Sequence, residues 1–228
     1  VRLKPGEEHL LTDLLERGIR FIPSATAQLA SRSKVFQATT LNEFMLPGTM
    51  AIYDQYALLE ACTLYKKKQF TQIILKHNRK NAGLGIHLFS SIEDVYNQVC
   101  GGSFSFPFVI QPFIEHYSDI RVVILDDEYH EAYQRTNPHN FRNNLHCGGS
   151  SLPHTLSEEQ LFFCKKIMRR AGFAWAHLDL MLAPGGEYWL TEINLRGGLR
   201  GAQISKQEYR ERIEKNRAKI LNGMLEVG

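Results

Sequence analysis

Several large functional classes are excluded by what this chain lacks. No apolar run approaches the roughly 20 residues that a membrane-spanning helix needs, and no signal-peptide pattern opens the sequence. Cys62, Cys100, Cys147 and Cys164 are widely spaced and form no metal-type pair; they read as free thiols of a reducing cytoplasm, the expected location. Charge of one sign is scarce. The 27 Lys and Arg against 24 Asp and Glu leave +3, enough to help attract an anionic substrate. No basic stripe carries interleaved aromatics, so neither nucleic acid nor a membrane is expected as a partner. There is no Gly-x-x-x-x-Gly-Lys-Ser/Thr loop, no complete dinucleotide fingerprint and no protein-kinase signature. Repeats and low-complexity segments are also lacking.

What remains is an ordinary globular composition, 43% apolar and 22% charged over 228 residues, sufficient for one large domain or two small lobes. The chain starts at Val1 rather than Met, which suggests a trimmed or processed product, and residues 1–33 read as the tail of something larger. Helical spacing is predicted over Glu7–Arg17, ended by Gly18, and again over Ser33–Phe44, broken by Pro47-Gly48. Ile19–Pro23 and Thr49–Tyr53 read as strands, and Asp54 caps a helix to about Gln69. Gln72–Lys76 and Gly85–Ser90 form a hairpin, followed by a helix from Glu93 to Cys100. Strands are predicted at Phe108–Phe113, Asp119–Leu125 and Tyr129–Arg135, then a loop over Asn137–Ser151. Ser157-x-x-Gln160 is a capping box for a helix stopped by Gly172. Strands near 175–182 and 187–193 and a charged helix from about Lys206 complete a mixed α+β chain with largely antiparallel strands.

The most informative string is Leu190-Thr191-Glu192-Ile193-Asn194. Residues i and i+2 of a strand share a face, so Glu192 and Asn194 offer oxygens to one region. A hairpin turned at Ala183–Gly186 sets Asp179 opposite or diagonal to Glu192. Three oxygen donors between apolar neighbours suit Mg²⁺; the alternative is buried polar groups satisfied by nearby backbone. Lys76 ends an apolar strand, and the basic loop after it holds Gly83-x-Gly85, a composition that suits a mobile flap over phosphates but equally an ordinary surface hairpin. Asp119 and Arg121 share a strand face, as a functional pair or as a surface ion pair. Arg135, Arg142, Asn143 and Asn144 gather at a strand end and in the following glycine-rich loop, where arginine forks and amide donors suit phosphate. His146 and His177 read as structural rather than as ligands.

In this order the pieces resemble the ATP-grasp superfamily over about residues 24–205, with greatest similarity to the RimK-type glutamate ligases. The resemblance rests on Asp119-Ile120-Arg121, then Arg135, then Phe141-Arg142-x-Asn144-Leu145-His146-x-Gly148-Gly149, and on Asp179 followed by Glu192-x-Asn194. It implies an ATP-grasp fold, two α+β lobes with mainly antiparallel sheets clasping a nucleotide. Residues 1–33 would be the remnant of a preceding region, 34–110 the small lobe with its leading helix, and 111–228 the large lobe. It also implies roles. Lys34 and Lys76 contact the nucleotide phosphates; Gln111, Pro112, Phe113 and Ile114 form the adenine hinge; Asp119 meets the ribose side; Asn143 and Asn144 help hold the nucleotide. Asp179, Glu192 and Asn194 hold two Mg²⁺, with Mn²⁺ as a substitute. Arg135 and Arg142 cradle the transferred phosphoryl group, and Arg121 and Arg196 meet the substrate carboxylate or acyl phosphate.

Two departures stand out. Pro112 occupies a hinge position that is often acidic in relatives, and Leu195-Arg196-Gly197-Gly198 replaces a small residue and Pro-Gly after the metal asparagine. The implied activity is ATP-dependent joining of a small-molecule or peptide carboxylate to an amine through an acyl phosphate, for example adding glutamate to a peptide or small acceptor. The alternative is a nucleotide-binding regulatory module, silent alone. A homo-oligomer or a partner chain would then supply the missing N-terminal domain.

Overall fold

The computed structural model describes residues 6–80, 85–138, 145 and 148–226. Two antiparallel sheets carry the fold. The smaller has the order β1 (Met50–Ile52), β4 (Phe108–Pro112), β2 (Ile73–His77), β3 (Ile86–Phe89). The larger has the order β7 (Ser150–His154), β6 (His130–Thr136), β5 (Ser118–Ile124), β8 (Ala176–Leu182), β9 (Tyr188–Asn194). The α+β expectation therefore holds. No helix among the described residues is long and apolar enough to cross a membrane.

Alternation along the strands sorts each sheet into two faces. Ile73, Leu75, Phe108 and Ile110 of the small sheet bury against α4 (Gln55–Lys68) and α5 (Ile92–Cys100). The out-of-phase residues, including Lys76 and Gln111, turn the other way, and Val109 among them joins the core of the large sheet. In the large sheet Ile120, Val122, Ile124, Leu178 and Leu180 pack beneath α2 (Ala25–Ala30), α3 (Lys34–Thr40) and α6 (Glu158–Ala171). Val123, Leu125 and Trp175 face the opposite layer, made by Ile204 and by Ile213 of α7 (Lys206–Leu225). The same second face carries Asp119, Arg121 and Asp179.

Local chemistry sets the helix ends. Asp54 Oδ1 accepts from the Ala57 N–H at 2.9 Å, and Gln69 closes α4 in the left-handed region. The capping box at Ser157 and Gln160 is formed in full, and Gly172 ends α6 at φ 69°. α1 (His9–Glu16) follows the predicted helix before Gly18.

Three expectations need correction, and one element is new. Ile19–Pro23 is not a strand: no partner strand pairs with it among the described residues, and Ile22 instead packs on the face beneath α7. The spacing over Ser33–Phe44 is not one helix. Thr39 and Thr40 bond back to the Val35 and Phe36 carbonyls, α3 ends at Thr40, and a 3₁₀ turn at Asn42–Phe44 follows. The edge strand β7, Ser150–His154, begins inside the predicted loop Asn137–Ser151 and runs past its end. Its Pro153 and mostly exposed residues hide it from pattern reading, and only an edge tolerates proline's missing N–H. Finally, α2 is a six-residue helix with no expectation behind it, capped by Ser24.

Candidate active site

The site lies where the two sheets meet. In the large sheet, Asp119 is registered with Arg135, Arg121 with Asp179, and Asp179 with Glu192. A bulge between Asp179 and Leu180 passes over Thr191, so Leu180 pairs with Leu190 while Asp179 pairs with Glu192. The extra residue flips the alternation. Leu190 thus points into the core, whereas Glu192, two residues on, joins Asp179. Asn194 stays in step with Glu192, opposite His177.

The side chains form a connected network. Arg121 grips Asp179 with Nε on Oδ1 and with Nη2 on Oδ2 at 2.9 Å. Arg135 Nη2 bridges Asp119 Oδ1 at 2.7 Å and Asp179 Oδ1 at 3.1 Å. Lys34, at the first turn of α3, donates from Nζ to Glu192 Oε1 at 3.2 Å and to the Lys80 carbonyl at 2.8 Å. Ser33 caps α3 and also donates to Asn78 Oδ1 at 3.0 Å, tying the helix start to the segment after Lys76. Lys76 enters from the small sheet and is buried.

Burial and charge oppose each other here. Burial pushes Lys76 down to about 8, with Glu192 pulling upward and Lys34 downward. Burial would raise Asp179, but Arg121 and Arg135 outweigh it and hold the carboxyl at about 2. For Asp119 burial wins over Arg135, and the group is raised. His177 is pushed to about 3 by burial and by Arg121, and so is neutral; its Nε2 lies 2.8 Å from the Tyr209 hydroxyl.

A cavity of about 1400 Å³ opens from this network. Arg121, Arg135, Glu192, Asn194 and Arg196 line it, as does the segment Leu195–Arg200. Gly197 is required there: a Cβ would come within 2.6 Å of both Arg121 Nη1 and His177 Nδ1. Gln111 and Pro112 lie on β4, with Gln111 buried and registered to Ile74. Pro112 pairs only with β2, beyond the reach of β1, so its missing N–H breaks no ladder bond. The Phe113 N–H is already donated to the Gln72 carbonyl at 2.9 Å. Phe113 and Ile114 begin the crossing from the small sheet to the large one. Arg142, Asn143 and Asn144, with the flap residues 81–84, lie outside the described residues.

Two positioning residues went unread in the sequence. Gln37 bonds to both the N–H and the carbonyl of Ile193, at 3.0 and 2.8 Å, and Ser31 Oγ accepts the Leu195 N–H at 2.9 Å. Together they complete the outer edge of β9 as a further strand would, fixing the strand that bears Glu192 and Asn194. Nothing local in the sequence signals this, because Gln37 lies 156 residues from its partner.

The donor set can be tested against Mg²⁺. A carboxylate offers about four lone-pair sites; on Asp179 the two arginines occupy three, leaving one. Glu192 uses Oε1 for Lys34, and Asn194 adds an amide oxygen on the same face. Among the described residues no three His, Cys, Asp or Glu side chains gather about one point, so a third donor beside Asp179 and Glu192 would have to be the amide. All three donors are hard oxygens, which fits magnesium. For an anion, the buried Arg135 Nε stands without a partner among the described residues.

Known proteins resemble this chain over most of its length. A glutathione synthetase of Mesorhizobium japonicum is 30% identical over 160 residues, covering 66% of this chain and 48% of that protein. A probable alpha-L-glutamate ligase of Cellvibrio japonicus is 27% identical over 197 residues, covering 82% and 62%. The chain thus spans about half to three-fifths of the length of these relatives. The structure of the ATP-grasp ligase PsnB complexed with minimal precursor, Mg and ADP superposes with a TM-score of 0.64 at 18% identity, covering 92% of this chain and 66% of that one; the likeness is one of fold. The model of the RimK-like ATP-grasp domain matches residues 45–215, and the chain belongs to that family.

Proposed function

We propose that the protein is an ADP-forming carboxylate–amine ligase working through an acyl phosphate. The observation that carries this reading is Asp179 set opposite Glu192, with Lys34, Lys76, Arg121 and Arg135 gathered around them between the two sheets. In the first step an oxygen of the acid substrate attacks the γ-phosphorus of ATP and the bond to ADP breaks. In the second, an amine attacks the acyl carbon and phosphate leaves. Two anions must meet in the first step, and their repulsion at 4 Å is about 4 kcal/mol at an effective dielectric near 20.

Lys34 and Lys76 are placed to offset that repulsion at the phosphates, and the unpartnered Arg135 Nε to donate to the phosphoryl group. Asp119 is read as orienting Arg135 as well as meeting the ribose side. Asp179, Glu192 and Asn194 would hold Mg²⁺, which neutralises phosphate oxygens when bound. Adenine would lie along Gln111–Ile114, donating to a hinge carbonyl; with the Phe113 N–H engaged, the Ile114 N–H is the next donor for a ring nitrogen. Arg196, exposed on the cavity wall, and Arg121 are assigned to the acid substrate, Arg142 to the phosphoryl group, and Asn143 and Asn144 to the nucleotide. The chain is read as a small lobe at 34–110 and a large lobe at 111–228, with β4 of the small sheet running on to Pro112 across that boundary. ADP release on adding acids and amines with ATP tests the reading. Nucleotide binding without any ADP release across such a panel would favour the regulatory module.

Lys76 gives a separate check. Its folded value near 8 lies below the unfolded value of about 10.4. The folded chain therefore holds fewer protons across that window, and stability from this group rises with pH between them. Urea unfolding of Lys76→Ala is expected to lose that rise. Loss of a charge-assisted contact should also weaken ATP binding about ten- to a hundredfold. Calorimetry in buffers of different ionisation enthalpy should show proton uptake on ATP binding at pH 9 in the wild type and none in the variant. Unchanged ATP affinity would remove Lys76 from the phosphate site.

A further inference from the structure

The cavity does not end at the carboxylate network. Asp179 and His177 share a face of β8, and Trp175 lies in the bend just before that strand. At about 3.3 Å per extended residue Trp175 lies at most about 13 Å from Asp179. Between them Tyr133, Leu199, Ile204 and Ile22 give the cavity an apolar wall beside His177 and its Tyr209 partner. At the far end the charge returns. The Arg217 guanidinium stacks on the Trp175 ring at 5.2 Å and lines the cavity there. Among the described lining residues Glu192 is the carboxylate, and it stands at the near end. Arg217 Nη1 bonds to Glu214 at 2.5 Å, yet its Nε is buried with no partner among the described residues. The volume of about 1400 Å³ exceeds the roughly 300–1,000 Å³ of pockets for drug-sized ligands.

We infer that the acid substrate is elongated and carries a second anionic group up to about 13 Å from its reacting carboxyl, received by Arg217 at the Trp175 end of the cavity. This rests on the cavity holding the acid substrate of the proposed ligase. A buried, unpartnered guanidinium nitrogen beside an aromatic face is a site for a planar anion. The apolar floor favours a neutral body between the two ends over a run of charges. A single amino acid is too short to reach both. Two chemistries share this form: a peptide of about four residues with an acidic first residue, and an aliphatic diacid.

The test uses the full chain and direct calorimetric binding of two matched pairs. One pair is acetyl-Glu-Ala-Ala-Ala and acetyl-Gln-Ala-Ala-Ala; the other is dodecanedioic acid and its monomethyl ester. In at least one pair the probe with the distal carboxylate should bind about tenfold or more tighter, and which pair does so identifies the source. In Arg217→Gln, with folding checked by circular dichroism, the ratio should fall towards one. Arg217→Lys should restore part of it through charge alone. Equal binding within both pairs, no binding by any probe, or a ratio that survives Arg217→Gln would overturn the inference. ADP release with the same probes reports separately on the ligase reading, because the binding ratio needs no turnover.

Discussion

Glu192→Ala is expected to release ADP about a hundredfold more slowly than the wild type, or not at all, while unfolding in urea within about 1 kcal/mol of it. The reasoning starts from the partners of Glu192. Its carboxylate binds Lys34 at 3.2 Å and is the foremost charge sustaining Lys76 against burial. Removing it takes a metal oxygen from the proposed triad and leaves two cations beside each other. The fold should survive because the side chain is 24% exposed and Lys34 keeps the Lys80 carbonyl. Lys76 should titrate lower still, shifting the onset of its pH-dependent stability below 8. Glu192→Gln keeps the shape and one oxygen but loses the charge, so it should recover nucleotide binding better than turnover. ATP-dependent ligation retained in Glu192→Ala would sink the metal assignment.

The second large effect is expected at Arg135. Replacing it by methionine removes the hydrogen bond to Asp119 and leaves Asp179 with Arg121. Breaking a buried pair from one side costs about 3–5 kcal/mol, a large fraction of the stability of a domain. The double variant Arg135→Met with Asp119→Leu removes both halves and should regain most of that loss, since apolar replacement of a buried pair is nearly neutral. It should not regain ADP release, because the buried Nε donor is gone.

The pH dependence follows from Asp179. Its folded value near 2 lies below the unfolded value of about 3.9. The stability it contributes is present above the unfolded value and is lost as pH falls through about 2. In Arg135→Met the folded value rises, so the gap between variant and wild type should narrow from pH 5 towards pH 2. A constant gap would show that Arg135 acts through packing rather than through charge. Recovery of activity in the double variant would remove Arg135 from the phosphoryl site.

Much of this arrangement was legible along the chain because it depends on short-range rules. The alternation of Glu192 and Asn194, the capping box at Ser157 and Gln160, and the glycine stops at Gly18 and Gly172 each involve residues within a few positions of one another. The opposition of Asp179 to Glu192 followed from a short hairpin, whose register the intervening turn restricts. Expectations failed where pairing is long-range. Ile19–Pro23 has strand composition but meets no strand edge, whereas Ser150–His154 has poor strand composition and finds one beside β6. Edge pairing is decided by which backbone arrives nearby, not by side-chain preference.

The sequence by itself determined the α+β class, the order of the oxygen and cation donors, and the family they resemble. Tertiary structure alone decided how those groups are spent. The Arg121 fork closes on Asp179, Arg135 is shared between two carboxylates, and Gln37 substitutes for a missing strand beside Ile193. The bulge at Thr191 turns Leu190 inward and Glu192 outward although they are two residues apart. The physical reason is that a carboxylate or guanidinium carries no record of its partner in the chain. Its charge state and its bonds are set by whichever groups the packed strands bring within about 3 Å, and by the water that packing removes.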